Sequence, residues 1–127
     1  MIDDVKEHLE AAGHRVYLSG DVPGRPDFPY LLLYALQPSP VRSMARPEWA
    51  RHFRFGVTVC DLSSRFIEST GDEVEVALEG ARISHPLSRV EWVARGPTTR
   101  DPEVTEDGAE VHTLPIHFMM TIPRSTT

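Results

Sequence analysis

Apolar positions along the 127-residue chain recur with two different periods, and the period changes from segment to segment. In residues 2–12, Ile2, Val5, Leu9 and Ala12 fall at helical spacing. Acids open that stretch and Gly13 follows it, as a helix dipole and a left-handed cap favour. A short strand is expected at 15–18. The run "YLLLYAL" at 30–36 is apolar on both parities, which predicts a strand buried on both faces near the middle of a sheet. From Arg51 the alternation is clean. Phe53, Phe55, Val57 and Val59 share one face, and His52, Arg54, Thr58 and Cys60 share the other.

Asp61 or Ser63 then offers a short side-chain oxygen to the first amides of a second helix. That helix is striped by Phe66, Ile67, Thr70, Val74, Ala77, Leu78 and Ala81. Gly71 inside the stripe costs about 1 kcal/mol relative to Ala and is where this helix can kink or break. Gly80 supplies a stop. Residues 89–95 alternate again, with Val90, Trp92 and Ala94 on one face. Residues 112–122 place Leu114, Ile116, Phe118, Met120 and Ile122 on one face, and Pro115 points to an edge position or a bulge.

Between these segments the chain is rich in turn residues. Long loops are expected near 19–29, 37–49 and 96–110, the last as a long hairpin loop. The order is α-β-β-β-α-β-β within one domain, 1–127. It predicts a two-layer α+β sandwich: a mostly antiparallel sheet of four to five strands with two helices on one face. Proline, 11 residues of the chain, stands well above its usual share of roughly 5% and stiffens the loops. Loops longer than about 12 residues are usually functional or disordered, so binding through the loops and the exposed sheet parity is the economical reading.

Composition narrows the classes. Hydrophobic residues at 40% and charged residues at 25% are ordinary globular values. A net charge of −6 argues against a phosphate backbone as the main partner. One cysteine excludes an internal disulfide and a Cys-rich zinc site. The longest apolar run falls far short of the ~20 residues a membrane helix needs. The charged start "MIDDVKEHLE" does not read as a signal peptide, so a soluble protein of a reducing compartment, without a membrane partner, is expected.

Candidate chemistry is sparse. Cys60, in "GVTVCDLSSRF", stands where a strand meets a helix, a place that can activate a thiol. His52 shares its parity but lies eight residues away, about 27 Å along a strand. His117 can approach only in a favourable strand register. Cys60 therefore reads as a packing residue at a strand end. The histidines have no metal-ligand spacing, and the carboxylates Asp72, Glu73, Glu75 and Glu79 read as a solvated helix face. Dinucleotide, phosphate-loop and nucleophile-elbow signatures are absent. No catalytic, cofactor-binding or metal-binding residue is expected, and no cofactor. The basic residues Arg42, Arg46, Arg51 and Arg54 are interleaved with Met44 and Trp49. That composition suits a protein interface, although a loop pinned by its own tryptophan accounts for it equally. Arg54, Thr58, His117 and Thr121, on the sheet parity away from the helices, form a second candidate contact surface.

The layout resembles the tail terminator (tail completion) proteins of long-tailed bacteriophages. The stretches "DFPYLLLY", "HFRFGVTVCDLSS", "DEVEVALEG" and "EVHTLPIHFMMTIP" stand at the corresponding places, in order and texture, over nearly the whole chain. The resemblance implies a structural virion protein, made in the host bacterial cytoplasm, that caps the finished tail tube as a six-membered ring. Such a ring stops tube polymerisation and offers a surface for head joining. Its implied partners are further copies of itself, the tail tube protein and the head–tail connector proteins, with DNA passing through without specific binding. No catalytic residue carries over. The alternatives are another neck component, such as a head-completion or stopper protein, and a small cysteine-dependent hydrolase using Cys60.

Overall fold

In a computed structural model, residues 2–24, 26–36, 50–83, 88–104 and 110–123 are described. The elements in chain order are α1 (Ile2–Ala11), β1 (Val16–Leu18), β2 (Tyr30–Ala35), β3 (Ala50–Asp61), α2 (Ser64–Leu78), β4 (Arg89–Arg95), β5 (Thr99–Val104) and β6 (Glu110–Pro123). The two cleanly alternating stretches become the longest strands, β3 and β6, which pair antiparallel from Ala50↔Pro123 to Asp61↔His112. Across the sheet the order is β1-β2-β3-β6-β4, with β5 also pairing β6. The expected α+β sandwich is observed with its elements in the expected order apart from one added strand, β5, which makes six strands where four to five were expected. The sheet is mixed rather than wholly antiparallel, because β1 and β2 run parallel.

Both helices pack on one face. Phe55, Val57 and Val59 of β3 and Leu114, Ile116, Phe118 and Met120 of β6 point to that side and are fully buried. Val5 and Leu9 of α1 and Ile67, Val74 and Leu78 of α2 close over them in a single cluster. Phe55 and Phe118, directly opposite in register, stack with ring centroids 5.5 Å apart. His8 ties the two helices together through a hydrogen bond from Nε2 to the Ala77 carbonyl, 2.9 Å.

The caps follow local chemistry. Of the two candidate caps it is Ser63 that caps α2, its Oγ accepting the Arg65 amide proton at 3.2 Å, while Asp61 Oδ1 accepts the amide proton of Ser63 itself, one residue ahead of the helix. Past α1, Gly13 adopts φ +99° while the Gly13 and His14 amides return to the carbonyls of Glu10 and Leu9, a left-handed helix end.

Several expectations are corrected. β2 is buried on one face only: Leu31 and Leu33 are buried, while Leu32 and Tyr34 are half-exposed on the side away from the helices. Phe66, placed in the apolar stripe, is 55% exposed, because Ile67 takes the inward position one residue on. Gly71 does not break α2, which runs on through it to Leu78. A Cβ there would stand 2.7 Å from Leu114 Cδ2 and 2.9 Å from Arg95 Nη2, so the glycine lets the helix approach the sheet. Ala94 does not share a face with Val90 and Trp92, because a bulge between Trp92 and Ala94 shifts the register.

The expected loop at 96–110 contains a strand, β5, which pairs β6 near Thr113 and His112. Pro115 is neither at an edge nor in a bulge. It lies within the central strand β6, and its carbonyl accepts the Gly96 amide at 2.9 Å. Its nitrogen, which has no proton to donate, faces the same side. There β4 has ended and β5 has not begun, so no strand needs that donor.

Candidate functional site

The open side of the sheet gathers half of the sequence-predicted contact residues. Arg54 and Thr58 on β3 and His117 and Thr121 on β6 share the face that neither helix covers, and all four are partly buried. His117 stands opposite Gly56, between Arg54 and Thr58 along the neighbouring strand. The surface is held by its own polar pairs. Tyr34, opposite Gly56 on β2, lies over that glycine, where a Cβ would collide with its ring. Its hydroxyl is 3.1 Å from Thr58 Oγ1. Thr121 Oγ1 is 3.3 Å from His52 Nδ1. Arg42, Met44, Arg46 and Trp49 lie outside the described residues.

Cys60 is buried, and its thiol lies 3.9 Å from the Thr58 carbonyl in its own strand. Its register partners are Tyr30 and Thr113. His117 faces Gly56, four residues back, which is about 13 Å along the strand and out of reach of the thiol. The geometry thus provides neither solvent access nor this base. Among the described residues no group of three His, Cys, Asp or Glu side chains is placed to hold a metal ion.

The arrangement that sequence reading missed is the cluster around Arg95. The bulge in β4 turns Arg95, opposite Ile116, toward α2. There its guanidinium donates to Glu68 Oε2 at 2.6 Å, Asp72 Oδ1 at 2.8 Å and Glu75 Oε2 at 2.5 Å, and also to the Glu68 carbonyl at 2.9 Å. Thr98 donates to the other Glu68 oxygen at 2.5 Å. One cation thus binds α2 to the end of β4 and to the crossing that leads to β5.

Burial opposes the Arg95 charge, but the hydrogen bonds to Asp72, Glu68 and Glu75 outweigh it and raise its pKa above the usual arginine value. The Thr98 hydroxyl, then Arg95, hold Glu68 below its ordinary carboxylate value. That keeps Glu68 charged, the opposite of what a general acid needs. The spacing of 68, 72 and 75 along one helix stripe was the available signal; what they converge on is decided by the bulge.

The outer edge of β4 is closed. Val90 donates to the Ala81 carbonyl at 3.0 Å and accepts from the Gly80 amide at 2.8 Å. The Trp92 amide donates to Glu79 Oε2 at 2.9 Å. The chain leaving α2 therefore occupies the positions an added strand would need. A partner on this side must meet side chains, and large apolar ones are exposed there: Val76, Trp92 and Val93.

No known protein-family model matches the chain, and no curated protein does. Among solved structures, a protein 18% identical to this one matches at a TM-score of 0.59, over 100% of this chain and 89% of its own. A chain from the virion of a native gene transfer agent particle matches at a TM-score of 0.64 with 15% identity, over 97% of this chain and 94% of that one. At such identities the likeness is one of fold, and it extends over nearly the full length of each chain.

Proposed function

We propose that this protein is a structural component of a phage-type virion, and within that class a tail terminator. The carrying observation is the fold shared, nearly end to end, with a chain of a gene transfer agent virion. In this reading copies of the chain form a closed ring, six-membered as the sequence resemblance implies, on the end of the finished tail tube. The ring stops tube growth and presents a surface to the head connector. The open sheet face with Arg54, Thr58, His117 and Thr121 is one contact surface, and the basic stretch with Arg42, Met44, Arg46 and Trp49 another. A net charge of −6 suits a bore through which DNA slides without sticking.

The test is the solution mass of the purified protein over a wide concentration range, with negative-stain images of the same samples and pelleting with isolated tail tubes. Uniform closed rings, or tube ends capped by the protein, are the expected outcome. A chain that neither closes into rings nor binds tube ends sinks the terminator role, and binding to head connectors alone redirects it to another neck component.

A further inference from the structure

The ring reading requires two complementary surfaces on each copy, and this inference rests on it. We infer that the exposed side of α2, with Val76 at its crest, is the docking surface for residues 41–49 of a second copy. Val76 is 81% exposed in the last turn of the helix, and Trp92 beside it is 46% exposed. On one flank a groove is lined by Asp72, Glu75, Val76, Glu79 and Trp92. On the other, Asp72, Glu73, Val76 and Ala77 face His14 and Pro29 across a second groove. The two share Asp72 and Val76, so together they form one strip in which Val76 stands as an apolar ridge between two acid-rimmed grooves.

The rim sets the chemistry of the occupant. Glu68, Asp72, Glu73, Glu75 and Glu79 line this part of the chain, while the Arg95 guanidinium is shared among Glu68, Asp72 and Glu75. What complements the strip is a segment with cations set between apolar side chains. The stretch "VRSMARPEW" at 41–49 has that composition: Arg42 and Arg46 alternate with Val41, Met44 and Trp49. Arg, Met and Trp are the types enriched at interface centres. The chain between Leu36 and Ala50 is long enough to reach roughly 20 Å outward and return, at ~3.4 Å per residue. Because the closed edge of β4 refuses an added strand, docking here goes through side chains. Strip and stretch are different surfaces, so the contact is head-to-tail and repeats from copy to copy until it closes.

The test uses full chains. A Met44→Cys chain and a Val76→Cys chain are mixed, oxidised and mapped for the linking peptide pair, with Glu7→Cys on α1 replacing Val76→Cys as the control. The expected result is a 44–76 linked pair at least ten times more abundant than the 44–7 pair. Adding Arg42→Glu and Arg46→Glu to the Met44→Cys chain should cut it about tenfold, and Glu73→Arg on the acceptor should recover part of the loss. Equal 44–76 and 44–7 yields, or no linked pair, overturn the inference. So does a Met44→Cys/Val76→Cys chain that closes on itself at high dilution. Closed rings without the 44–76 link overturn this interface and leave the ring reading intact. The link in open chains that never close supports the interface and counts against the ring.

Discussion

The two faces of the sheet are made from alternate residues of the same strands, yet they are built in opposite ways. On the helix side, Phe55, Val57, Leu114, Ile116 and Phe118 have no exposed surface and are held by close packing. On the open side, Tyr34, Arg54, Thr58, His117 and Thr121 are only partly buried, and side chains there meet in hydrogen-bonded pairs such as Tyr34–Thr58, Thr121–His52 and Thr99–Thr113. Core packing is sensitive to a single lost methylene, whereas a half-exposed pair contributes little to stability. One face therefore carries the fold, and the proposed contact surface lies on the other. Substitutions should separate the two properties cleanly.

The largest effect should come from Phe118→Ala. It removes a ring stacked on Phe55 at the centre of the core, and a loss of about 3–5 kcal/mol in chemical denaturation is expected. A loss below about 1 kcal/mol would mean that the helix face is not the stabilising one.

Arg95→Met comes next. It leaves three carboxylates crowded on α2 without their cation, but Glu68 and Asp72 are more than half exposed, so the expected loss is about 1–2 kcal/mol. An unchanged midpoint would show that the cluster is ornamental to folding.

Gly71→Ala sets two terms against each other. The helix gains about 1 kcal/mol of propensity, while crowding against Leu114 and Arg95 costs about 1–3 kcal/mol. A net loss near 1 kcal/mol is expected, and a gain in thermal midpoint would refute the close approach.

On the open face, Tyr34→Phe should cost no more than about 1 kcal/mol by removing the bond to Thr58. His117→Ala should leave the denaturation midpoint within about 0.5 kcal/mol of the parent while weakening ring formation or tube binding. If His117→Ala lowers stability by more than about 1 kcal/mol yet still assembles normally, the division between the faces is wrong.

The smallest effect is one of pH. The Glu68 pKa is depressed in the folded chain, so its stabilisation is fully present above the ordinary value of 4.5 and is lost as pH falls through the depressed value. Below that ordinary value, stability should fall more steeply for the parent than for Arg95→Met, as read from denaturation midpoints at successive pH values. Parallel pH profiles would remove Arg95 from the explanation.

Much of this was legible in the chain. The alternation at 53–59 and 114–120 announced two strands and their buried parity, and Ser63, one of the two candidate caps, caps α2. The candidate face residues Arg54, Thr58, His117 and Thr121 followed from the same parity. Less legible was "YLLLYAL", whose apolar residues on both parities promised burial on both sides. Leu32 and Tyr34 instead share the open face with the candidate contacts. Arg95 was illegible as the hub of the acidic stripe, since simple alternation continues through 94 and the bulge does not.

What the sequence by itself determined is therefore local: which residues alternate, where a helix can be capped, and where glycine relieves a left-handed turn. These depend on interactions among residues a few positions apart. The tertiary structure alone decided that β1 joins in parallel and that Pro115 falls where no strand asks for its missing proton. It alone laid Tyr34 over Gly56 and gathered three carboxylates on Arg95. Each of those outcomes rests on strand register and on how closely a helix approaches the sheet, and both are settled only when distant segments pack together.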